Sequence, residues 1–324
     1  MKQAQLLILI LILFVSGCNK AEEPVRFAVI PDTQSFFETD FETDPLRLYQ
    51  VFDWVKNKEN GIDFMIQVGD ITEDNTEETW KFVKDLFHSL DGELPYTYAL
   101  GNHDMGSKPR KRADTRNTEL ANKYLDLDNL SASGLVASYP ANKVDNLAHV
   151  VHFKGMDYLI ISLEFGPRAQ SVEWAEEMIA AYPDHKVIIN THAYTYSDNT
   201  RIGEGDKWNP HSYGIKNDGD IFYDGEELWS EFIKKHKNIV MVVSGHILND
   251  GIGTLVSTGD NGNKVCQMLA NYQYGVKDRG HGTDGYIRII NYYPISNRLE
   301  VETYSPILDQ YLTDEVNQFT IDLN

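Results

Sequence analysis

The chain has 324 residues, 42% of them hydrophobic, and its formal net charge is -20 at pH 7. This composition is typical of a globular protein with a substantial core, and it excludes a largely disordered chain. The excess of acidic residues argues against binding to nucleic acid backbones or anionic lipid surfaces, so nucleic acid is not the expected partner.

The first residues of the chain predict export. A charged start is followed by an apolar run, residues 6–15, that is too short to span a bilayer. Residues 15–18, Val-Ser-Gly-Cys, resemble the lipobox of bacterial lipoproteins, which implies cleavage before Cys18 and attachment of lipid to its sulfur. The alternative is an ordinary secretory signal that happens to contain a cysteine. The predicted parts of the chain are a lipoprotein signal peptide (1–17), a tether (18–24) and one domain (25–324).

The residues around the cleavage point also bear on location and cross-linking. Asn19 occupies the position at which aspartate commonly retains lipoproteins in the inner membrane, so we predict a lipid anchor in the outer membrane of the cell envelope. Cys266 is the only other cysteine of the chain. If Cys18 carries lipid, no disulfide within the chain is available, and no disulfide-linked partner is implied.

After the tether, apolar runs alternate with amphipathic stretches, which predicts a layered sheet covered by helices. The predicted strands are residues 25–30, 63–68, 96–99, 148–153, 157–163, 186–191 and 239–244. The predicted helices are residues 45–58, 77–90, 116–126, 170–181 and 225–236. From about residue 253 the apolar runs are shorter and lack a helical period, which predicts extra strands that complete a second sheet.

Five polar clusters each follow an apolar run directly. Because loops at the carboxyl ends of strands converge on one crevice in such sheets, we expect the five clusters to meet in space. A single cluster of this kind is more often a turn with a satisfied side chain than a binding site. The clusters are Pro31-Asp32-Thr33-Gln34, Gly69-Asp70, Gly101-Asn102-His103-Asp104, Thr191-His192 and Gly245-His246.

Together, these clusters resemble the motif set of the calcineurin-like metallophosphoesterases, which runs D-x-H, G-D-x-x-[DE], G-N-H-[DE], a histidine after a strand, and G-H-x-H. The second motif is present as Gly69-Asp70-Ile71-Thr72-Glu73, and the third, G-N-H-D, is unbroken and the most specific. The resemblance covers about residues 25–248. It implies an α/β fold, a two-sheet β-sandwich flanked by helices, and hydrolysis of phosphomonoesters or phosphodiesters at a binuclear metal centre.

The resemblance also implies a set of metal ligands. One carboxylate, that of Asp70, would bridge two divalent ions. Mixed oxygen and imidazole ligands suit manganese, iron or zinc better than calcium. The first ion would be served by Asp32 and Gln34, and the second ion by Asn102, His192 and His246.

The resemblance assigns His103 a different role, because this residue is not expected to bind metal. His103 would face the phosphoryl and leaving-group oxygens as a proton donor or an electrostatic stabiliser. Asp104 would orient the His103 ring, so that the two residues form the catalytic pair of the site.

Two departures from the motif set fall on the first ion. Gln34 stands where histidine is usual, and Leu248 stands where the second histidine of G-H-x-H would be. An amide oxygen binds a transition ion less strongly than imidazole, and leucine cannot bind at all, so the first site should be weaker. Asn249 or Asp250 could reach in as a substitute. A retuned binuclear enzyme and a site with one ion and low activity remain alternatives, and the complete second set favours the former.

The basic run at residues 108–112 follows G-N-H-D directly and is a candidate for binding substrate. Arg110, within this run, would attract an anionic phosphoester and neutralise its outer oxygens. A solvated loop that pairs with the surplus carboxylates is an equal alternative.

Some thirty residues separate His192 from the helix predicted to begin at 225. Loops of this length inside a compact domain are usually functional. Arg201, Trp208 and His211 of this loop could form a pocket wall that contacts substrate, although a single aromatic residue more often pins a loop to the body. A glycine-rich turn at residues 279–286 also holds a histidine that could approach the site.

The leading hypothesis is an exported, lipid-anchored hydrolase of a small-molecule or glycan-linked phosphoester. The alternative is a non-catalytic or weakly catalytic surface protein that binds a ligand or glycan on the same scaffold, since both first-ion histidines are missing. Nuclease activity ranks last, because the basic run at 108–112 is its only support. Metal content distinguishes the enzyme from the binding protein.

Overall fold

The computed structural model describes residues 21–38, 44–277 and 282–324. The predicted signal peptide and the predicted lipid attachment site, Cys18, lie outside the described residues, as does part of the glycine-rich turn at 279–286. Within the described residues, two seven-stranded sheets pack face to face, and helices lie against the outer face of each. This arrangement confirms the predicted α/β class and the predicted two-sheet sandwich flanked by helices.

The helices and strands of the described residues are β1 (Val25–Ile30), α1 (Arg47–Lys56), β2 (Phe64–Gln67), α2 (Glu77–His88), β3 (Tyr96–Tyr98), α3 (Glu119–Tyr124), α4 (Leu127–Leu130), β4 (Leu135–Tyr139), β5 (Asn146–Phe153), β6 (Met156–Leu163), α5 (Ala169–Ala181), β7 (Lys186–Thr191), α6 (Gly225–Glu231), β8 (Ile239–Ser244), β9 (Ile252–Thr258), β10 (Lys264–Ala270), β11 (Ile287–Tyr293), β12 (Arg298–Ser305), β13 (Gln310–Leu312) and β14 (Phe319–Asp322). The first sheet has the order β13-β12-β11-β1-β2-β3, and β14 also pairs with β12. The second sheet has the order β4-β5-β6-β7-β8-β10-β9.

Parallel strands bring their carboxyl ends to one edge of the sandwich. Strands β1, β2 and β3 run parallel in the first sheet. In the second sheet, β6, β7 and β8 run parallel, and β10 runs parallel to β8. The side-chain amide of Asn190 in β7 donates a hydrogen bond to the carbonyl of Gln67 in β2 at 2.9 Å. The loops that follow β1, β2, β3, β7, β8 and β10 therefore meet at the same edge.

The core lies between the two sheets and under the helices. Phe27 and Ile66 of the first sheet pack with Ile160 and Val243 of the second. Helix α2 is capped by the side chain of Thr76, and its buried residues recur at helical spacing along the face that covers the first sheet. These residues are Trp80, Val83, Leu86 and Phe87.

The seven predicted strands agree with the structure to within two residues, whereas several other elements differ. The helix predicted at 116–126 spans only Glu119–Tyr124, and the short helix α4 was not predicted. The helix predicted at 225–236 ends at Glu231, and a 3-10 turn, Ile233–Lys235, follows it. Strand β4 was not predicted, because its residues do not alternate between apolar and polar; four of them are half-buried and Val136 is exposed. The strands after residue 253 do not complete one sheet: β9 and β10 extend the second sheet, and β11 to β14 extend the first. Alternation predicts that a strand exists but does not identify its partner.

None of the helices within residues 21–38, 44–277 and 282–324 is long and apolar enough to cross a membrane.

Candidate metal centre

The loops at the shared edge bring the predicted site residues together. Each of these residues is at most 8% exposed: Asp32, Gln34, Asp70, Asn102, His103, Asp104, His192 and His246. Two glycines allow the close approach of the loops. A Cβ atom on Gly101 would lie 2.1 Å from Asp70 Oδ1, and one on Gly245 would lie 2.0 Å from Asp32 Oδ1. Glycine is therefore required at both positions by the carboxylates beside it.

The residues predicted to bind the second ion form a compact group. The ligand atoms of Asp70, His192 and His246 all lie within 4.8 Å of one another. His192 Nε2 lies 3.0 Å from Asp70 Oδ2. The Oδ1 atom of Asn102 is buried and has no hydrogen-bond partner. Two imidazoles, a carboxylate and an unbonded amide oxygen fit a divalent transition ion.

Backbone carbonyls fix the orientation of both histidine rings. His192 Nδ1 lies 2.9 Å from the carbonyl oxygen of Val68, and His246 Nε2 lies 2.8 Å from that of Trp208. Because a carbonyl oxygen only accepts, each of these nitrogens carries the hydrogen. Nε2 of His192 and Nδ1 of His246 are left with lone pairs, which is the arrangement found in histidine metal ligands.

The pKa values at this group reflect its charge balance. Burial raises the pKa of the Asp70 carboxyl, but the positive fields of His192 and His103 outweigh burial and hold the pKa far below its usual value. Burial lowers the pKa of His192, but Asp70 and Asp32 outweigh it and raise the pKa to about 9. For His246, burial and the charge on His192 lower the pKa to about 3. The paired carboxylates therefore favour positive charge at this point of the site.

Three residues of the site adopt left-handed backbone conformations. The φ angles are +50° at Asp70, +65° at Trp208 and +75° at His246. For a residue with a Cβ atom, such a conformation costs about 1–3 kcal/mol of conformational free energy, and such residues concentrate at functional sites. The strain is located at the proposed bridging carboxylate, at one histidine ligand and at the carbonyl that orients that histidine.

The first position has a different set of neighbours. Asp32 Oδ2 accepts hydrogen bonds from Gln273 Nε2 at 2.8 Å, from Asn271 Nδ2 at 3.1 Å and from the backbone N–H of His246 at 3.0 Å. Burial raises the pKa of Asp32 to about 7, although the charge on His192 opposes it. The first position thus keeps its carboxylate and surrounds it with amides.

The two residues that replace the missing histidines behave differently. Gln34 Nε2 lies 3.2 Å from Nε2 of His103, and Gln34 Oε1 is buried without a hydrogen-bond partner. Leu248 lines the cavity beside the site and offers no ligand atom. Gln34 therefore retains a ligand atom for the first position, and Leu248 does not.

The expectation that Asn249 or Asp250 reaches into the site is wrong. Asn249 donates its side-chain N–H to Ser197 Oγ at 2.8 Å, and Asp250 accepts the backbone N–H of Ile252 at 3.3 Å. Both side chains belong to the turn between β8 and β9. The residues that do contact Asp32 from this side, Asn271 and Gln273, follow β10. Sequence reasoning missed them because β10 was not recognised as parallel to β8, although both residues directly follow an apolar run.

Glu73, and not Asp104, orients the His103 ring, so this part of the sequence prediction is wrong. His103 Nδ1 lies 3.0 Å from the carbonyl oxygen of Glu73 and 3.1 Å from Glu73 Oε2. Burial lowers the pKa of His103, but the Asp70 and Glu73 carboxylates outweigh it, and the pKa lies above its usual value.

Asp104 instead joins two loops. Its carboxylate accepts backbone N–H groups of Gly101 at 2.9 Å, Ile71 at 3.0 Å and Thr72 at 2.8 Å. Burial raises the pKa of Asp104 to about 6, and these hydrogen bonds oppose the rise. Asp104 and His103 are neighbours in one 3-10 turn whose side chains point to different partners, which the motif alone does not reveal.

A cavity of about 340 Å³ opens beside the metal-binding group. Arg112 lies at this cavity and also pairs with Glu73. Trp208, predicted to contact substrate, lines it as well. The lining residues are Gln34, Glu38, Asp70, Glu73, Asn102, His103, Arg112, Trp208, Tyr213, His246, Leu248, Gln273 and Tyr274.

Three predicted substrate contacts do not line this cavity. Arg110 pairs with Asp74, and Arg112 of the same basic run takes the position expected of it. Arg201 donates to Ser257 Oγ and Gln267 Oε1, both at 3.0 Å, and its guanidinium stacks on Trp229. His211 pairs with Glu227 near the start of α6. Each of these side chains is bound to the body of the protein, so the prediction that it contacts substrate is wrong for this cavity.

The two-sheet sandwich thus gathers carboxylates and imidazoles, which are ligands for divalent metal ions, beside a cavity. A profile of the family described as calcineurin-like phosphoesterase matches residues 25–250. The chain therefore belongs to the calcineurin-like phosphoesterase family, which confirms the predicted family.

Three proteins illustrate the similarity. The uncharacterized protein YvnB of Bacillus subtilis is 25% identical over 296 residues, which are 88% of this chain and 20% of YvnB. The probable glycerophosphodiester phosphodiesterase GpdQ of Arcobacter nitrofigilis is 22% identical over 202 residues, 62% of each chain. The solved purple acid phosphatase PPD1 of yellow lupin has a TM-score of 0.53 and 14% identity, covering 93% of this chain and 54% of that one. This chain thus spans less than two thirds of each of these proteins, and the likeness to PPD1 concerns the fold.

Proposed function

We propose that this chain is an exported, lipid-anchored hydrolase that cleaves phosphoesters of small molecules at a binuclear metal centre. One observation carries the proposal. A metal-binding group, Asp70, His192 and His246, borders the same cavity as His103, a buried histidine that does not belong to the group. A hydrolase of this kind needs both parts, a place for metal and a separate proton donor.

The metal ions would be held by residues from both sheets. Asn102, His192 and His246 would hold one ion, Asp32 and Gln34 the other, and Asp70 would lie between them. When bound, such ions neutralise charge on the phosphoryl group and lower the pKa of a water molecule, so that hydroxide is available near neutral pH. The unbonded, buried oxygens Asn102 Oδ1 and Gln34 Oε1 support two positions, because a buried polar atom without a partner is rare.

His103 is proposed as the proton donor to the leaving-group oxygen. Since Nδ1 faces two accepting oxygens of Glu73, this nitrogen carries a hydrogen, and Nε2 is the nitrogen that exchanges a proton with substrate. The backbone N–H of His103 donates to Asp70 Oδ1 at 2.8 Å. Glu73 therefore orients the ring, Asp70 fixes the backbone of His103, and His103 lines the cavity.

The cavity walls favour a small organic phosphoester as substrate. Arg112 would pair with phosphoryl oxygens, and the rings of Trp208, Tyr213 and Tyr274 would pack against the organic part. A volume of about 340 Å³ accommodates a metabolite-sized group and not a folded polymer. Because the A. nitrofigilis relative is named as a probable glycerophosphodiester phosphodiesterase, a glycerophosphodiester is the first substrate to test, and a glycan-linked phosphoester the second.

Export and anchoring are proposed from the lipobox, Val15 to Cys18. Glu22 accepts the backbone N–H of Ile295 at 2.6 Å, in the turn between β11 and β12. This turn lies at the amino end of β1, opposite the edge that carries the cavity. A lipid on Cys18 would therefore leave the cavity directed away from an outer-membrane surface. Labelling with a radioactive fatty acid tests the anchor, and a Cys18→Ala variant that stays labelled and membrane-bound would refute it.

The activity is tested with the purified protein, stripped of metal and reloaded with manganese, iron or zinc. We expect it to cleave bis(4-nitrophenyl) phosphate or 4-nitrophenyl phosphate and a glycerophosphodiester, and to lose this activity on chelation. Asp70→Asn should be inactive while its thermal unfolding remains cooperative. A wild-type protein that binds the ions yet cleaves none of these esters would overturn the proposal.

A further inference from the structure

We propose that the first metal position of this protein is an all-oxygen site that selects a hard divalent ion, Mg²⁺ or Mn²⁺. The second position keeps the imidazole ligands that suit zinc or iron. Hard cations prefer carboxylate and carbonyl oxygens, so exchanging imidazole for amide changes the preferred ion as well as the affinity. This inference deepens the proposed function and rests on it.

The amide of Gln34 directs its oxygen, not its nitrogen, away from His103. His103 Nδ1 carries a hydrogen, because both groups near it are accepting oxygens of Glu73. Nε2 of His103 lies 3.2 Å from Nε2 of Gln34, so the amide nitrogen faces the ring and the amide oxygen faces away from it. Gln34 Oε1 remains buried at the cavity without a partner. A buried amide oxygen without a donor is a ligand suited to a hard cation.

The Asp32 carboxylate is held so that one oxygen stays available. Oδ2 accepts three N–H groups, from Gln273, Asn271 and the backbone of His246. Oδ1 shares only the backbone N–H of His246, which lies 3.2 Å away. Carboxylates that bind metal are held in this way by donors on their second oxygen.

No imidazole is left to complete this position among the described residues. Leu248 stands at the site of one missing histidine, and the ring of His103 is engaged by Glu73 and Gln34. In the proposal, the oxygens of Asp32, Gln34 and Asp70 would supply the ligands of the first position. The alternative is that the amide side chains fill the first position and no cation binds there. Gln34 Oε1 would then remain buried without a hydrogen-bond partner, which is unfavourable.

The inference is tested by metal binding to the chelator-treated full chain, without measuring turnover. Titration calorimetry and metal analysis should find one Zn²⁺ per chain at stoichiometric zinc. Addition of Mn²⁺ to the zinc-loaded protein should fill a second position, seen as loss of the free Mn²⁺ signal in electron paramagnetic resonance, and Mg²⁺ should compete for it. Two Zn²⁺ bound alike, or a zinc-loaded protein that takes up neither Mn²⁺ nor Mg²⁺, would overturn the inference.

Variants at residue 34 locate the effect. Gln34→Ala should lose the Mn²⁺ position and keep the Zn²⁺ position, and Gln34→His should bind a second Zn²⁺ and lose its preference for Mn²⁺. Leu248→Ala is the matched control, because Leu248 lines the same cavity without a ligand atom, and its binding should equal that of wild type. Unchanged Mn²⁺ binding in Gln34→Ala would refute the assignment.

The two proposals fail independently. A protein that binds one Zn²⁺ and one Mn²⁺ as expected but cleaves no phosphoester retains the metal assignment and refutes the proposed function. An active enzyme that binds two Zn²⁺ equally retains the proposed function and refutes the metal assignment.

Discussion

The two halves of the metal centre differ in what holds their side chains. In the second half, His192 and His246 each donate a ring N–H to a backbone carbonyl. In the first half, Asp32 is held by the side-chain amides of Asn271 and Gln273 as well as by one backbone N–H. The first half therefore depends partly on side chains that a few substitutions can exchange, and the second half depends on two backbone carbonyls, one directly after β2 and one in the loop before α6.

This difference explains why the departures from the family motifs fall on one side only. Val68, whose carbonyl orients His192, directly follows β2, a fully buried strand that pairs with β1 and β3 in the first sheet. Changing the second half would require a change in the sheet itself. Gln34, Leu248 and Gln273 lie in loops that line the cavity, where a substitution alters the ligands without altering the fold.

The largest expected loss comes from removing a ligand of the second half. His192→Ala should lower kcat/KM by about 10³- to 10⁴-fold, since the ion contributes several kcal/mol of charge stabilisation. Metal analysis of the variant should show loss of bound zinc. Leu248→Ala, on the first side, should keep its bound zinc, because Leu248 offers no ligand atom. A His192→Ala enzyme that keeps its zinc and its activity would show that the two halves do not differ in the way described.

Removing the proton donor should lower the activity less and should leave both metal positions occupied. His103→Gln is expected to lower kcat by about 10²- to 10³-fold with unchanged metal content. The loss should be smaller for a 4-nitrophenyl ester than for an alkyl phosphoester, because nitrophenolate leaves without a proton. Equal losses for the two esters would contradict the role of His103 as a proton donor.

The sequence predicted that the second-half residues meet in space, and it predicted the strands that carry them. Asp70, Asn102, His192 and His246 follow apolar runs, and the resemblance to the family motifs assigned them to the metal centre. Strands β1, β7 and β8 were predicted with the bounds that the structure has.

The parts that sequence did not reveal depend on contacts between distant segments. Asn271 is 239 residues from Asp32 in the chain, and no motif links the two. Glu73 was quoted within the second motif, yet its contact with the His103 ring depends on how two loops fold together. Arg201 was expected at the cavity because its positive charge suits phosphate. In the structure its guanidinium instead forms an ion pair with Glu226 and donates a hydrogen bond to the second sheet.

A third prediction concerns the residue that orients the proton donor. Glu73→Gln should lower kcat about tenfold and leave KM and metal content unchanged, because the ring loses its charged partner but keeps the backbone carbonyl. Glu73→Asp should recover part of the loss. A fall that appears in KM alone would assign Glu73 to substrate binding through Arg112 instead.

Asp104 is the matched control for Glu73, since the motif pairs it with His103. Asp104→Asn should lower the free energy of unfolding by about 1–3 kcal/mol, because buried backbone N–H groups lose an acceptor. Urea denaturation measures this change. If Asp104→Asn left stability intact and reduced kcat more than Glu73→Gln does, the sequence-based assignment of Asp104 would be restored.

The smallest expected effect on activity comes from substituting His149. This histidine is buried and hydrogen-bonded like the second-half ligands, but it has no carboxylate beside it. His149 is fully buried, and its Nδ1 donates to the carbonyl of Ser133 at 3.1 Å, while Nε2 has no partner. Burial lowers the pKa of His149 to about 4, because no carboxylate faces it as Asp70 faces His192. A fixed ring orientation alone therefore does not create a metal site.

Protonation of His149 should destabilise the fold in a defined pH range. The unfolded chain binds a proton near the ordinary histidine pKa of 6.5, and the folded chain does so only near pH 4. Stability is therefore complete above pH 6.5 and falls by up to about 3 kcal/mol as the pH drops to 4, with no further loss from this group below that. Urea denaturation of wild type and His149→Gln from pH 7.5 to 4 should show two curves that diverge in this range, with equal activity at pH 7.5. Parallel curves would mean that the fold does not lower the pKa of His149.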